Sequence, residues 1–289
     1  VAKLSFIRKE RIMNIQEFIS NYHNHPVLFV GTGLSLRYLE NSYSWDSLLQ
    51  KVAKELNPDS EYYLDIKSEH MEATGYAYEK IATQLEKDFN QALKSDRHGK
   101  FEYINDLFYA NMKNGINISR FKLYLADLLK EVKIRELALP EIAELKKARK
   151  NISSVITTNY DKMIEQLFAF NPLIGNDILL SNPYGSVYKI HGCVSQPEKI
   201  IITASDYEEF NCKYELIRAQ LLSLFIHNPI IFIGYNIGDK NIKDILRTIF
   251  SYVDYNSDEA KKIRDNFLLV EYEKGSDNTE VIEHDIDIE

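Results

Sequence analysis

Two cysteines in 289 residues, Cys193 and Cys212, leave little room for cysteine chemistry. Their spacing is no metal-ligand pattern, no Cys-x-x-Cys pair occurs, and a chain this large needs no disulfide scaffold. A reducing cytoplasm is therefore the expected setting, with no zinc or other metal site. No apolar run is long enough to span a bilayer, so no membrane association is expected. Residues 1–12 are basic but lack the apolar stretch of a signal peptide. They read as a vector-derived or upstream extension, because Met13 precedes a plausible helix. Excess positive charge is missing too. The net charge is −8, and residues 271–289 hold eight acidic side chains against one Lys, or −7. The remainder carries −8 − (−7) = −1. A nearly neutral body argues against a nucleic-acid-binding surface as the main function.

What is present is enough for a substantial core, with 45% hydrophobic residues. Short Ile/Val-rich runs predict strands at 26–30, 152–157, 187–190, 199–202, 230–233 and 266–271. Such runs suit strands buried on both faces. Between them, Trp45, Leu48, Leu49, Val52, Ala53 and Leu56 recur at helical spacing behind Ser44, a predicted N-cap. Ile242, Ile245, Leu246, Ile249, Phe250 and Val253 do the same after Asp239. Strand–helix alternation predicts an α/β fold, a Rossmann-like, doubly wound, mostly parallel sheet. Residues 58–150 show no strand signal and many helix formers, among them Phe121, Tyr124, Leu125, Leu128 and Leu129. They predict an all-helical insertion between the first and second strands. The division is then 13–57 and 151–289 for the sheet domain and 58–150 for the insertion. Ile282, His284, Ile286 and Ile288 alternate with acidic residues, a strand pattern that residues 275–278 can turn back onto 266–271. The chain stops inside that pattern, which suggests a truncated chain.

Four segments carry chemistry. Gly31-Thr32-Gly33-Leu34-Ser35 follows the first strand. Glycines there let backbone N–H groups approach a phosphate. Thr157-Thr158-Asn159-Tyr160-Asp161 ends the second strand, where ligands of open α/β sheets bind. Asn159 offers an amide that donates and accepts; Asn159 and Asp161 can equally serve only to satisfy a helix N-terminus. His191-Gly192 closes Val187–Ile190 and places an imidazole at a strand end, suited to a general base. The other histidines, His23, His25, His70, His98, His227 and His284, lack that context. Gly234-Tyr235-Asn236 follows the strand at 230–233, where a turn can hold the adenosine half of a dinucleotide or simply be tight, with Asp239 as N-cap.

Together, in this order, these segments resemble the sirtuin family. Gly31–Ser35 looks like its Gly-Ala-Gly-x-Ser loop, and Thr157–Asp161 is similar to its Thr-Gln-Asn-x-Asp motif. His191-Gly192 matches its His-Gly, and Gly234-Tyr235-Asn236 stands in place of its Gly-Thr-Ser. The four-cysteine zinc module of sirtuin deacylases is absent, as is the Pro-Asp-Phe-Arg stretch, which Arg37 to Trp45 replace. With the helical insertion, the chain resembles sirtuin-like effector domains of bacterial antiphage defence, of the Thoeris, HerA-associated, short-Argonaute- or STAND-associated type. The resemblance implies NAD as substrate, a NAD glycohydrolase forming nicotinamide and ADP-ribose, and NAD depletion in abortive infection. It implies Asn159 and His191 as catalytic residues. Gly31, Thr32, Gly33 and Ser35 would hold the pyrophosphate and ribose, Asp161 would support them, and Gly234 and Asn236 would contact the adenosine side. It also implies a homo-oligomer, controlled by a fused C-terminal region or a partner such as a HerA-type ATPase, an Argonaute or a STAND module. An NAD-dependent protein deacylase and a non-catalytic NAD or ADP-ribose sensor are the alternatives.

Overall fold

The computed structural model describes residues 3–4, 13–20, 22, 24–73, 75–180, 184–213, 215–235, 240–251, 253–254, 257–276, 280–281 and 286–287, with only the backbone at some of these positions. Six strands form one sheet: β1 (Val27–Val30), β2 (Ser154–Thr157), β3 (Asn171–Ile174), β4 (Ser186–Lys189), β5 (Ile230–Ile233) and β6 (Phe267–Val270). Their order is β6-β5-β1-β2-β4-β3. Every neighbouring pair is parallel. The α/β, Rossmann-like sheet read from the sequence is thus the observed one.

β1 is buried along its whole length because both sheet faces are covered. On one face Val27 and Phe29 pack with Ile156, Tyr188, Ile230 and Phe232 under Leu221, Leu224 and Phe225 of the helix Glu215–His227. On the other, Leu28 and Val30 meet Val155, Val187 and the helices Thr32–Tyr38, Leu139–Lys147 and Met163–Phe168. A separate core lies in the helical layer, where Leu49, Val52, Leu85, Phe89, Phe121 and Leu125 close around one another. Its helices run over Trp45–Leu56, Glu61–Glu69, Tyr78–Ser95, Glu102–Lys113 and Arg120–Leu129. Ser44 caps the first of these as predicted: its Oγ accepts from Ser47 N at 3.2 Å, and Ser47 Oγ accepts from Ser44 N at 2.8 Å.

Three sequence expectations are corrected and one strand is added. Residues 199–202 form no strand. They run from a 3₁₀ turn, Pro197–Lys199, into an irregular segment, and Ile200 and Ile202 are apolar because they plug the helical core. β3 is a strand beyond those expected, and it contains Pro172. At the sheet edge a missing N–H is tolerated. The insertion is not wholly helical: Met71–Glu72 and Gly75–Tyr76 form a short hairpin. The C-terminal pattern does not fold back onto β6. Glu280–Val281 pairs with Met13–Asn14, and Ile286–Asp287 with Lys3–Leu4, both antiparallel. Alternation predicts an extended backbone but says nothing of which distant edge completes it. Asp239, Asn236 and residues 282–285 lie outside the described residues, as do the side chains of Ile242, Ile245 and Ile249.

The chain leaves β1 toward β2 on one side and returns to β5 on the other, so the two loops at this reversal meet. Gly31 N donates to Ile233 O at 2.9 Å, and Gly33 N to Gly234 O at 3.0 Å. A Cβ on Gly33 would sit 2.7 Å from Gly234 O, and one on Gly234 would sit 2.5 Å from Leu34 N. Gly234 also has φ +75°, a left-handed conformation that glycine adopts without strain. Gly234→Ala is therefore expected to cost about 2 kcal/mol or more through backbone strain and contact. Thermal unfolding checks this; an unchanged melting temperature would refute the interlock.

Candidate active site

The strand ends β1, β2 and β4 converge on a chain of buried polar contacts. Asn159, nearly fully buried, donates from Nδ2 to Gly31 O and to Ser35 Oγ, each at 3.0 Å. Ser35 Oγ donates to Asp161 Oδ2 at 2.8 Å. Asp161 Oδ1 accepts from Met163 N at 2.9 Å, so this carboxylate also anchors the start of the helix Met163–Phe168. Thr157 holds the base of the arrangement: its Oγ1 donates to Val30 O at 2.7 Å and accepts from Asn159 N at 3.1 Å. Five residues of the two first motifs thus act through one another.

Beside this chain lies a cleft lined by Thr32, Ser35, Asn41–Trp45, Leu48, Leu129, Thr158–Asp161 and Tyr235. The motif residues form its floor. The wall from Asn41 to Trp45 was not foreseen, although Tyr43 and Trp45 among small polar residues just ahead of a capped helix were a signal. Among the described residues, three buried polar atoms on this lining have no protein partner: Asn159 Oδ1, Asn41 Oδ1 and Ser42 Oγ. Buried polar atoms are normally hydrogen-bonded, so this concentration makes the cleft the candidate site for a polar ligand. Asp161 is the one charged side chain among the described lining residues.

His191 does not line the cleft. It is buried, its ring meets Tyr207 edge-on at 5.4 Å and Phe210 at 6.1 Å, and its Nδ1 lies 3.5 Å from Tyr207 Oη. Tyr207 in turn faces Trp45 of the cleft wall at 6.4 Å. Burial lowers the imidazole pKa from 6.5 to about 4, so the ring is neutral at neutral pH. Gly192 follows at φ +89°, with room for no Cβ, since one would stand 2.3 Å from Lys199 O.

The glycines of the first loop are placed differently from the expectation that their N–H groups face a phosphate. Those of Gly31 and Gly33 are already bonded to the β5 loop. Gly234 is part of that joint, and Asn236 lies outside the described residues. Lys189 was missed. It ends β4 with a fully buried side chain, its Nζ 3.2 Å from Glu165 Oε1 and bonded to Asp161 O. A lysine closing an otherwise apolar buried strand was the signal, because buried lysines are rare unless paired. Cys193 is buried near Glu165, and Cys212 is exposed. No group of three or more His, Cys, Asp or Glu side chains fit to hold a metal occurs among the described residues. No helix among them is long and apolar enough to cross a membrane.

Comparison with known proteins supports the resemblance read from the motifs. Residues 153–288 match the family model described as a SIR2-like domain. The protein named NAD(+) hydrolase ThsA of Enterococcus faecium is 25% identical over 234 residues, 78% of this chain and 40% of that protein. Its namesake in Cytobacillus dafuensis is 26% identical over 244 residues, 81% of this chain and 40% of the relative. Defense-associated sirtuin 2 of Bacillus subtilis is 30% identical over 108 residues, 34% of this chain and 11% of that protein. The chain therefore spans less than half the length of these relatives.

The buried imidazole makes stability depend on pH. Its folded pKa, about 4, lies below the 6.5 of an exposed histidine. Its contribution is complete above pH 6.5 and lost as pH falls through about 4, because the unfolded chain takes up the proton first. His191→Gln should flatten the fall of melting temperature across that window. Equal slopes for the two proteins would show that the histidine is not held neutral by burial.

Proposed function

We propose that this chain hydrolyses NAD at the bond between nicotinamide and ribose, releasing nicotinamide and ADP-ribose. The observation that carries the reading is the Asn159 amide. Its donor end is pinned by Gly31 O and Ser35 Oγ, and its Oδ1 is buried at the cleft without a protein partner among the described residues. An acceptor fixed in this way can orient a ribose hydroxyl or the attacking water. The names of the relatives from Enterococcus faecium and Cytobacillus dafuensis point the same way.

The chemistry asks little of an acid. The C1′–N bond breaks with its electron pair going to the pyridinium nitrogen, so nicotinamide leaves neutral. Positive charge gathers on the ribose ring. The Asp161 carboxylate on the lining lies where a negative field favours that charge. Water then adds to C1′ and gives up a proton. His191 is the base in this reading: it is neutral, as a proton acceptor must be, and the Tyr207 ring links it to Trp45 of the cleft wall. Thr32 and Ser42 offer hydroxyls to the pyrophosphate and ribose, while Gly31, Gly33 and Gly234 lock together the two loops that carry Thr32 and Tyr235. Asn236 belongs with the adenosine side.

We extend the reading to NAD depletion in antiphage defence, with turnover raised when the chain self-associates or joins a fused region or partner. The similarity to Defense-associated sirtuin 2 supports this. The enclosed position of His191 favours one second reading, an NAD or ADP-ribose sensor without catalysis. Nicotinamide release and NAD binding, measured on the same preparation, separate the two. Asn159→Ala is expected to lower turnover by about 100-fold or more. Binding without release in the parent protein would establish the sensor instead.

A further inference from the structure

The geometry points to Lys189 as a positioning residue for the Asn159 amide, acting through the backbone of Asp161. The assignment rests on the reading of the cleft floor given above.

Lys189 closes β4 in register with Thr157 of β2. Its side chain is fully buried, yet it lines no part of the cleft. It makes two contacts. One is the ion pair with Glu165 Oε1 at 3.2 Å; the other is a hydrogen bond from Nζ to the Asp161 carbonyl. Glu165 is itself held on the helix Met163–Phe168, and its Oε2 is buried without a partner among the described residues. The ion pair compensates the buried ammonium. The carbonyl contact reaches the site, because the same residue sends its carboxylate to Ser35 Oγ and to Met163 N. Ser35 Oγ in turn accepts from Asn159 Nδ2. Four side chains and one carbonyl therefore run in series from β4 to the cleft floor. Lys189 fixes the far end, since a charged donor to a carbonyl is stronger than a neutral one.

Removing the ammonium frees the Asp161 backbone, and the Ser35–Asn159 pair then loses its fixed reference. Positioning of this kind affects the rate at bound substrate more than binding, because the groups that touch NAD remain.

Two variants and two readouts test this. Lys189→Met removes the carbonyl contact but leaves Glu165 unpaired. Adding Glu165→Gln relieves that charge and keeps the rest. The double variant is expected to recover most of the melting temperature lost by Lys189→Met, while kcat for nicotinamide release stays about 100-fold low and KM shifts little. Glu165→Gln alone, which spares the carbonyl contact, should retain kcat within a few-fold. The second readout needs no activity: the side-chain amide signals of Asn159 in a ¹⁵N–¹H spectrum. They should shift and exchange faster in the Lys189 variants than in Glu165→Gln. A double variant that regains parental kcat, or Asn159 signals that stay unmoved, would overturn the assignment. Failure of both Lys189 variants to fold would assign the pair to the fold and overturn it too. A parent protein that releases no nicotinamide would sink the NAD reading alone, and the amide spectrum would still decide the role of Lys189.

Discussion

One buried amide holds the functional end of this sheet together. Asn159 leaves β2, reaches back across β1 to the Gly31 carbonyl, and takes Ser35 on the next helix as its second acceptor. Buried donors must be paired, so this side chain can occupy one place only while both acceptors stay where they are. Ser35 and Asp161 carry the constraint onward to the helix start at Met163 and to Lys189 on β4. Three strand ends are thus tied to one another by polar contacts. The apolar packing beneath them sets their depth in the core, and the parallel ladders set their register.

The backbone joint between the β1 and β5 loops supplies the complementary constraint. Its glycines are required by contact distances to the opposing loop, which leave no space for a Cβ. A glycine-rich turn after a first strand carries two meanings, approach to a phosphate or approach to another chain segment. Here the N–H groups of Gly31 and Gly33 are committed to the second. The polar lining of the cleft then falls to hydroxyl and amide side chains, several of them from Asn41 to Trp45.

Much of the candidate site's lining was legible as polar residues at strand ends. Asn159, Ser35, Asp161 and Thr32 are polar residues at the ends of apolar runs, and polarity at such an edge has few explanations. The position of His191 was not legible in the same way. Being next to a strand end says that an imidazole is near the ligand edge. It does not say that Tyr207 and Phe210, from a helix further along the chain, pack against its ring, with Tyr207 also against Trp45 of the cleft wall. Lys189 escaped because its partners are Glu165 on a neighbouring helix and a backbone carbonyl, and neither leaves a trace in local pattern. Residues 199–202 misled for a related reason: an apolar run records burial, and burial in the helical core looks the same as burial in a sheet.

The sequence by itself determined the class of fold, the strands β1, β2, β4, β5 and β6, the Ser44 cap and the identity of the polar residues at the strand ends. These follow from local periodicity and from side-chain chemistry within a few residues. Only the tertiary structure decided the strand order, the pairing of residues 280–281 and 286–287 with the N-terminal segments, the shielding of His191 and the link from Lys189 to Asn159. Each of these joins groups far apart in the chain. Such contacts are selected by shape and by the need to satisfy buried polar groups, which become defined only once the core has closed.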